Sequence, residues 1–243
     1  MATVGPPPLS AFTSAERRLI AQLATPRLIQ AFLNGLPYNR ESKPLGETLR
    51  SFRGVVRYRT AHCLEAAITA AVILEQHGYP PLVLSFESID KLDHVLCVYR
   101  TRHGWGSIAR SRDPGLHGRK PVFRTARALA RSYFDPYIDH TGCITAFAVV
   151  DLRQMLGSYD WRLSDRNVWK VEQGLIDYPH APLPVDWARE KILRAKYDAF
   201  CLRYPDRKPI YYAGRDTWTA IPPEFGGAAR RDARPGPRSA EHG

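Results

Sequence analysis

The sequence predicts an α+β fold in which helices pack on one face of an antiparallel sheet. Two observations carry this. Residues 64–74 are mostly Ala, Ile, Val and Leu, which reads as a buried helix. Residues 95–100 and 105–109 are short strand-like runs around Arg102-His103-Gly104, the pattern of an antiparallel hairpin. Residues 82–86, 122–123 and 144–150 add further short apolar runs. At 243 residues and 44% hydrophobic, the chain can build one sizeable core.

The elements follow in order. Residues 1–12 contain Pro6-Pro7-Pro8 and read as a flexible arm. Thr13 or Ser14 can cap a helix through Leu23. Pro26 suits the first position of a second helix, which Gly35 and Leu36-Pro37 close. Residues 38–54 are polar and mixed, a loop expected to fold over the site, and Val55-Val56 reads as a short extended piece. The central helix is expected over 62–77, capped by Thr60 and ended by Gly78. Pro80-Pro81 opens the strand at 82–86, and 87–91 form a turn. Residues 125–134 read as helical. Beyond Leu152 the pattern weakens. Residues 161–175 are amphipathic. Residues 184–204 read as a helix, with Asp186 near its start and Trp187, Ile192, Leu193, Tyr197 and Leu202 on one broad side. A strand is expected within 210–218. The resulting organisation is an arm (1–12), a core domain (13–152), a helical extension packed on the core (153–225) and a disordered basic tail (226–243).

Composition narrows the function classes. No run approaches the ~18 apolar residues of a membrane span, and no basic-then-apolar signal pattern opens the chain. A cytoplasmic protein with no membrane partner is expected. Cys63, Cys97, Cys143 and Cys201 form no CxxC pair and no dense framework, so disulfides are not expected. Cys97, within a strand, reads as a small buried residue. Net charge is +11, of which the tail carries +2 through Arg230, Arg231, Arg234 and Arg238 against Asp232 and Glu241. A basic body can attract nucleic acid. No nucleic-acid motif accompanies it, and an Arg-rich composition explains the charge equally well.

The chemistry gathers at the start of the central helix. Thr60 as cap would put Cys63 in the first turn, where unpaired N–H groups and the helix dipole favour an anion. A thiolate is an anion, so this position lowers the thiol pKa. Arg57 and Arg59 push the same way. A nucleophilic cysteine needs a base, and the next candidate along the chain is His94, at the start of the strand Val95-Leu96-Cys97-Val98-Tyr99. His62 adjoins Cys63 but, on a regular helix, points about 100° away; it reads as packing or a substrate contact. Glu65 reads as a local cap or ion-pair partner. A zinc site built from His62, Cys63, His94 and Cys97 is disfavoured, because strand positions three apart face opposite sides. Trp105 and Tyr133 read as core.

A helix starting at Cys63, a following strand carrying His94 and a second strand after Gly104-Trp105 together resemble the transglutaminase-like superfamily, a branch of the papain-like cysteine fold. The resemblance covers roughly residues 36–134. Leu36-Pro37-Tyr38-Asn39 and Arg131-Ser132-Tyr133-Phe134 suit a bacterial subgroup of it. It implies a core in which the helix bearing the Cys packs on an antiparallel sheet bearing the His. It also implies a Cys-His-Asp type site that acts on an amide or acyl bond of a peptide or amide-containing substrate. Such an enzyme is a protease, an amidase or an acyl transferase, and uses no cofactor or metal.

The third member departs from that pattern, which places an Asp a few residues past the turn Trp. Here no carboxylate follows Trp105 until Asp113. Hairpin register offers a choice. With His103-Gly104 at the turn, Arg102 faces Trp105 and His94 faces Asp113. With Arg102-His103 at the turn, His94 faces Ser111. Gly104 in the second turn position favours the first register, because a type I′ turn needs φ > 0 there. Asp113 is therefore preferred and Ser111 is the alternate, although Pro114 can mark the end of the strand. Asp93 faces away from His94. The absent carboxylate also keeps open a non-catalytic binding module built on the same fold.

Overall fold

The structure, a computed structural model, describes residues 5–41, 46–91, 93–207, 209 and 214–219. After a 3-10 turn at Leu9–Ala11 come helices α1 (Ser14–Gln22), α2 (Pro26–Asn34), α3 (Phe52–Tyr58) and α4 (Cys63–Gln76). Strands β1 (Leu82–Ser88), β2 (Val95–Thr101) and β3 (Gly104–Ile108), a 3-10 turn at Pro114–Leu116 and β4 (Arg119–Phe123) follow. Then come α5 (Ala126–Arg131), α6 (Phe134–Tyr137), β5 (Ile144–Asp151), α7 (Leu152–Leu156), α8 (Trp169–Ile176), β6 (Ala181–Pro182) and α9 (Trp187–Arg203). A last 3-10 turn spans Arg215–Thr217. The strands form one antiparallel sheet in the order β4-β3-β2-β1-β5-β6, so the fold is α+β. Among the described residues, no helix is long and apolar enough to cross a membrane.

Every residue of α4 from Leu64 to Glu75 is buried. It lies between the sheet and α2 and α3, so apolar residues surround its whole circumference. Alternation along the strands divides the core. Val83, Val95, Cys97, Tyr99 and Val150 face α4. Leu84, Leu96, Val98 and Phe147 face the other way, towards Leu129, Ala130 and Tyr133 in and after α5. Helices therefore cover both faces of the sheet, not the one face expected. Residues 125–134 break at Ser132, and the short α5 fills the second face.

Local signals explain most boundaries. Thr13 forms a capping box with Glu16, and Thr25 caps α2 with Pro26 at its first turn. Gly78 ends α4 at φ +84°. The expected extended piece at Val55-Val56 is instead helix α3, because the Ser51 hydroxyl accepts from Gly54 N at 3.2 Å and starts a turn. In the segment expected as a loose arm, Phe12 is buried against Phe52 with ring centroids 5.9 Å apart. Residues expected as an extension supply Trp161, Val168, Val171 and Leu175 to the α4 core itself. The broad apolar side expected on α9 is mostly exposed: Trp187, Ile192 and Leu202 face solvent, and Leu193 is buried. The strand expected within 210–218 lies partly outside the described residues; within them Trp218 makes a single bridge to Arg119. The tail at 226–243 lies outside them altogether.

One ion pair pins the segment after α7 to the end of α4. Arg162 donates from Nε and Nη2 to the two Glu75 carboxylate oxygens, each at 2.7 Å, and both side chains are buried. Removing one partner leaves the other charge buried without compensation. Arg162→Ala is therefore expected to cost about 3–5 kcal/mol, read from the urea midpoint. The exposed Arg57–Asp165 pair, 2.8 Å apart, sets the contrast: Asp165→Ala should cost less than about 1 kcal/mol.

Candidate active site

The site begins with the way the chain enters α4. Pro37–Asn39 runs beside Ala61 as a short parallel bridge, with Asn39 N donating to Ala61 O at 3.2 Å. His62 follows in extended backbone (φ −88°, ψ −175°) and is the N-cap, so Cys63 is the first helical residue. The expected cap, Thr60, instead accepts from Arg50 Nη1 at 2.6 Å. Glu65 completes a capping box by accepting from His62 N at 3.0 Å. The same carboxylate, fully buried, also accepts from Asn39 Nδ2 (3.1 Å), Thr48 Oγ1 (3.0 Å) and Arg50 N (3.0 Å). It thereby gathers the described ends of the 39–50 segment over the helix start.

Because His62 lies outside the helix, the 100° helical offset does not apply to it, and its ring reaches the Cys63 sulfur. Its Nε2 donates to Thr48 O at 2.9 Å, and its Nδ1 accepts from Leu64 N at 3.3 Å in the neutral ring. Glu65 Oε1 is 3.7 Å from Nε2 and Glu41 Oε1 is 3.8 Å away. Burial alone would push the ring's pKa down. The bond to Cys63 and the negative charge of Glu65 outweigh it and raise His62 to about 9.

His94 reaches the same sulfur from the sheet. Its carbonyl accepts from Phe86 N at 3.0 Å, which fixes the residue just ahead of β2. The ring is buried, stacked on Phe86 with centroids 6.5 Å apart and 6.4 Å from the Tyr133 ring. Its Nε2 lies 3.1 Å from the main-chain oxygen of Leu116. A carbonyl only accepts, so Nε2 carries the hydrogen and Nδ1 is left for the thiol. Cys63 itself is partly exposed. Burial would push its thiol up; hydrogen bonds to His62 and His94 outweigh it and bring the thiol down to about 5.

The structure brings Cys63 and His94 together but gives the third position to neither expected residue. Thr101 pairs with Gly104 and Arg100 with Trp105, so Arg102-His103 form the turn. Gly104 is needed for another reason. Its φ is +137°, and a Cβ there would lie 2.5 Å from Phe123 O on β4. This register points His94 towards Ser111, but β3 ends at Ile108 and the chain turns away. Ser111 Oγ accepts from Asp113 N at 3.1 Å, while the Asp113 carboxylate lies 3.9 Å from Arg112. The partner of His94 is the Leu116 carbonyl.

The sequence marks Tyr38 only as part of the Leu36–Asn39 run and gives it no role in the site, yet its hydroxyl lies against the main-chain N–H of Cys63, and burial raises its pKa. The buried thiol of Cys97 is likewise pushed up, by burial. Among the described residues, no group of three or more His, Cys, Asp or Glu side chains could hold a metal ion. Two surface cavities, of about 460 and 500 Å³, lie elsewhere and are lined by neither Cys63 nor His94. No model of a known protein family matches the chain, and no curated protein matches it.

The geometry sets a pH profile. Cys63 alkylation should rise as pH passes about 5, where the thiol loses its proton. The ion pair with His62 should then persist until about 9, where the imidazolium deprotonates. Substituting Ala for His62 or His94 should move the first midpoint upward. Asp113→Asn should leave it in place, because Leu116 orients His94. Rates with iodoacetamide across pH check this; a midpoint near the usual thiol value, or one moved by Asp113→Asn, would sink the account.

Proposed function

We propose that this chain is a cysteine enzyme of transglutaminase-like type, acting on an amide or acyl bond. The observation that carries the reading is a thiol at the first position of a buried helix, its pKa lowered by hydrogen bonds to two imidazoles. The thiolate attacks the carbonyl carbon. The negative charge that develops on the carbonyl oxygen is received by the Cys63 N–H at the helix start. Burial keeps the Tyr38 phenol protonated, so it can donate to the same oxygen once substrate takes over its bond with Cys63 N–H. His94, its ring fixed through Nε2, takes the thiol proton on Nδ1 as the thiolate forms and hands it to the leaving amine. Water or a second amine then resolves the acyl-enzyme, giving hydrolysis or transfer. The His94 strand and the Trp105 hairpin support the transglutaminase-like assignment, as does an antiparallel sheet packed on α4.

A second reading is favoured by one specific observation: a neutral main-chain carbonyl, not a carboxylate, faces His94 Nε2. A binding module that has kept the fold without turnover would tolerate that. The two separate on acyl transfer. For the enzyme, an activated thioester probe should acylate Cys63 and then be released, with Cys63→Ala abolishing labelling and His94→Ala slowing turnover by roughly 10²–10⁴-fold. Mass spectrometry of the intact protein follows both steps. A Cys63 that is never acylated, in a folded protein, rules out the enzyme.

A further inference from the structure

A main-chain carbonyl has no side chain of its own to aim it. The direction of the Leu116 oxygen is therefore set by whatever holds the peptides on either side. Those peptides are held by Arg119. Its Nη2 donates to Gly115 O at 2.7 Å, and its Nη1 donates to His117 O at 2.6 Å. Gripping the oxygens before and after Leu116 from one side leaves the Leu116 oxygen turned to the other, where His94 Nε2 meets it. The planar fork of a guanidinium suits two acceptors at once; the single ammonium of a lysine does not.

Arg119 is itself fixed from all sides. It is buried, with its guanidinium 4.1 Å from the Tyr133 ring centroid and 5.1 Å from that of Trp218. Its N–H donates to Ser107 Oγ at 2.9 Å, and Ser107 Oγ is 2.7 Å from the Tyr133 hydroxyl. That hydroxyl lies 2.9 Å from His117 O, a second hold on the same peptide. The loop's other end is tied to α2. The His117 ring lies between Asn34 Oδ1 and Ser111 O, and a Cβ on Gly118 would lie 2.2 Å from Gln30 Oε1.

We propose that Arg119 is the positioning residue of the Cys63–His94 pair, acting through the Leu116 carbonyl in the place where a carboxylate side chain is usual. The proposal rests on the reading of Cys63 and His94 as the reactive pair. Arg119 touches neither substrate nor thiol. Its effect is to keep the His94 Nε2–H on the Leu116 oxygen, so that Nδ1 faces the sulfur and exchanges a proton with it.

The test uses the full chain, with two readouts. One is the imidazole ¹⁵N spectrum of histidine-labelled protein, with the His94 signal assigned by its loss in His94→Ala. The other is the pH profile of Cys63 alkylation. In a Cys63→Ala background at pH 8, above the usual imidazole range and with no thiol to protonate the ring, His94 should be the Nε2–H tautomer. Arg119→Lys keeps the charge but loses the fork. Added to that background it should mix the His94 tautomers; in the chain with Cys63 it should slow alkylation at pH 6 by on the order of tenfold or more, with secondary structure retained by circular dichroism. Tyr133→Phe removes one hold on His117 O at nearly constant volume and should shift both readouts the same way by less; it carries the test if Arg119→Lys does not fold. Folded variants with a wild-type tautomer and profile would overturn the proposal. A wild-type thiol that titrates normally and ignores His94→Ala would instead remove the reading beneath it, while the tautomer still reports whether Arg119 aims the carbonyl.

Discussion

The site depends on one buried carboxylate. Glu65 is fully buried, and leaving its charge without partners there would cost several kcal/mol. Its surroundings offset that cost. It sits in the first turn of α4, where the dipole favours an anion, and takes hydrogen bonds from His62 N, Asn39, Thr48 and Arg50. Each bond also positions a piece of the site. The bond to His62 N makes His62 the cap and therefore makes Cys63 the first helical residue. The bonds to Thr48 and Arg50 bring the Thr48 carbonyl to His62 Nε2. The charge of Glu65 then raises the His62 pKa, and His62 lowers that of Cys63. Glu65, His62 and Cys63 form an alternating series of negative, positive and negative groups.

This arrangement divides two tasks that a single carboxylate often performs together for a histidine beside a nucleophile: holding the tautomer and stabilising the imidazolium. At His94, the Leu116 carbonyl does the first but, being neutral, does much less of the second. The charge comes from the other side of the thiol, through His62 and Glu65. A site built this way has its thiolate held by two histidines, one charged with the help of Glu65 and the other directed by Leu116.

Residue chemistry tells which of these features could be read from sequence. The α4 run, the two hairpin strands and the Cys63–His94 order were legible because they are written in side-chain type and spacing. His62-x-x-Glu65 is a capping-box spacing, but Thr60 is the commoner capping residue, and it masked the role of His62. Gly104 looked like the second turn residue because positive φ is the usual reason for a glycine there; its φ is positive, but it opens β3, where a Cβ would also meet Phe123 on β4, a contact that depends on a third strand. That one misread glycine moved the register and with it the choice between Asp113 and Ser111. The Leu116 oxygen was not legible at all, since every residue carries a carbonyl and only the fold decides where it points.

The sheet decides how the two halves of the pair stay in register. Cys63 belongs to α4 and moves with the core on that face. The His94 ring lies against Phe86 and Tyr133, which belong to the core on the opposite face. What joins them is the edge of the sheet where β2 starts, held by the bond from Phe86 N to His94 O. That bond lies just before the irregularity in β1 between Glu87 and Ser88, where its pairing with β5 shifts. A close-packed interior transmits small displacements, so loosening either core would change the distance between thiol and imidazole before it unfolded the chain. The Cys63–His94 pair is therefore sensitive to packing on both faces, and the Tyr133 region, though remote from the thiol in sequence, is as much a part of its placement as α4.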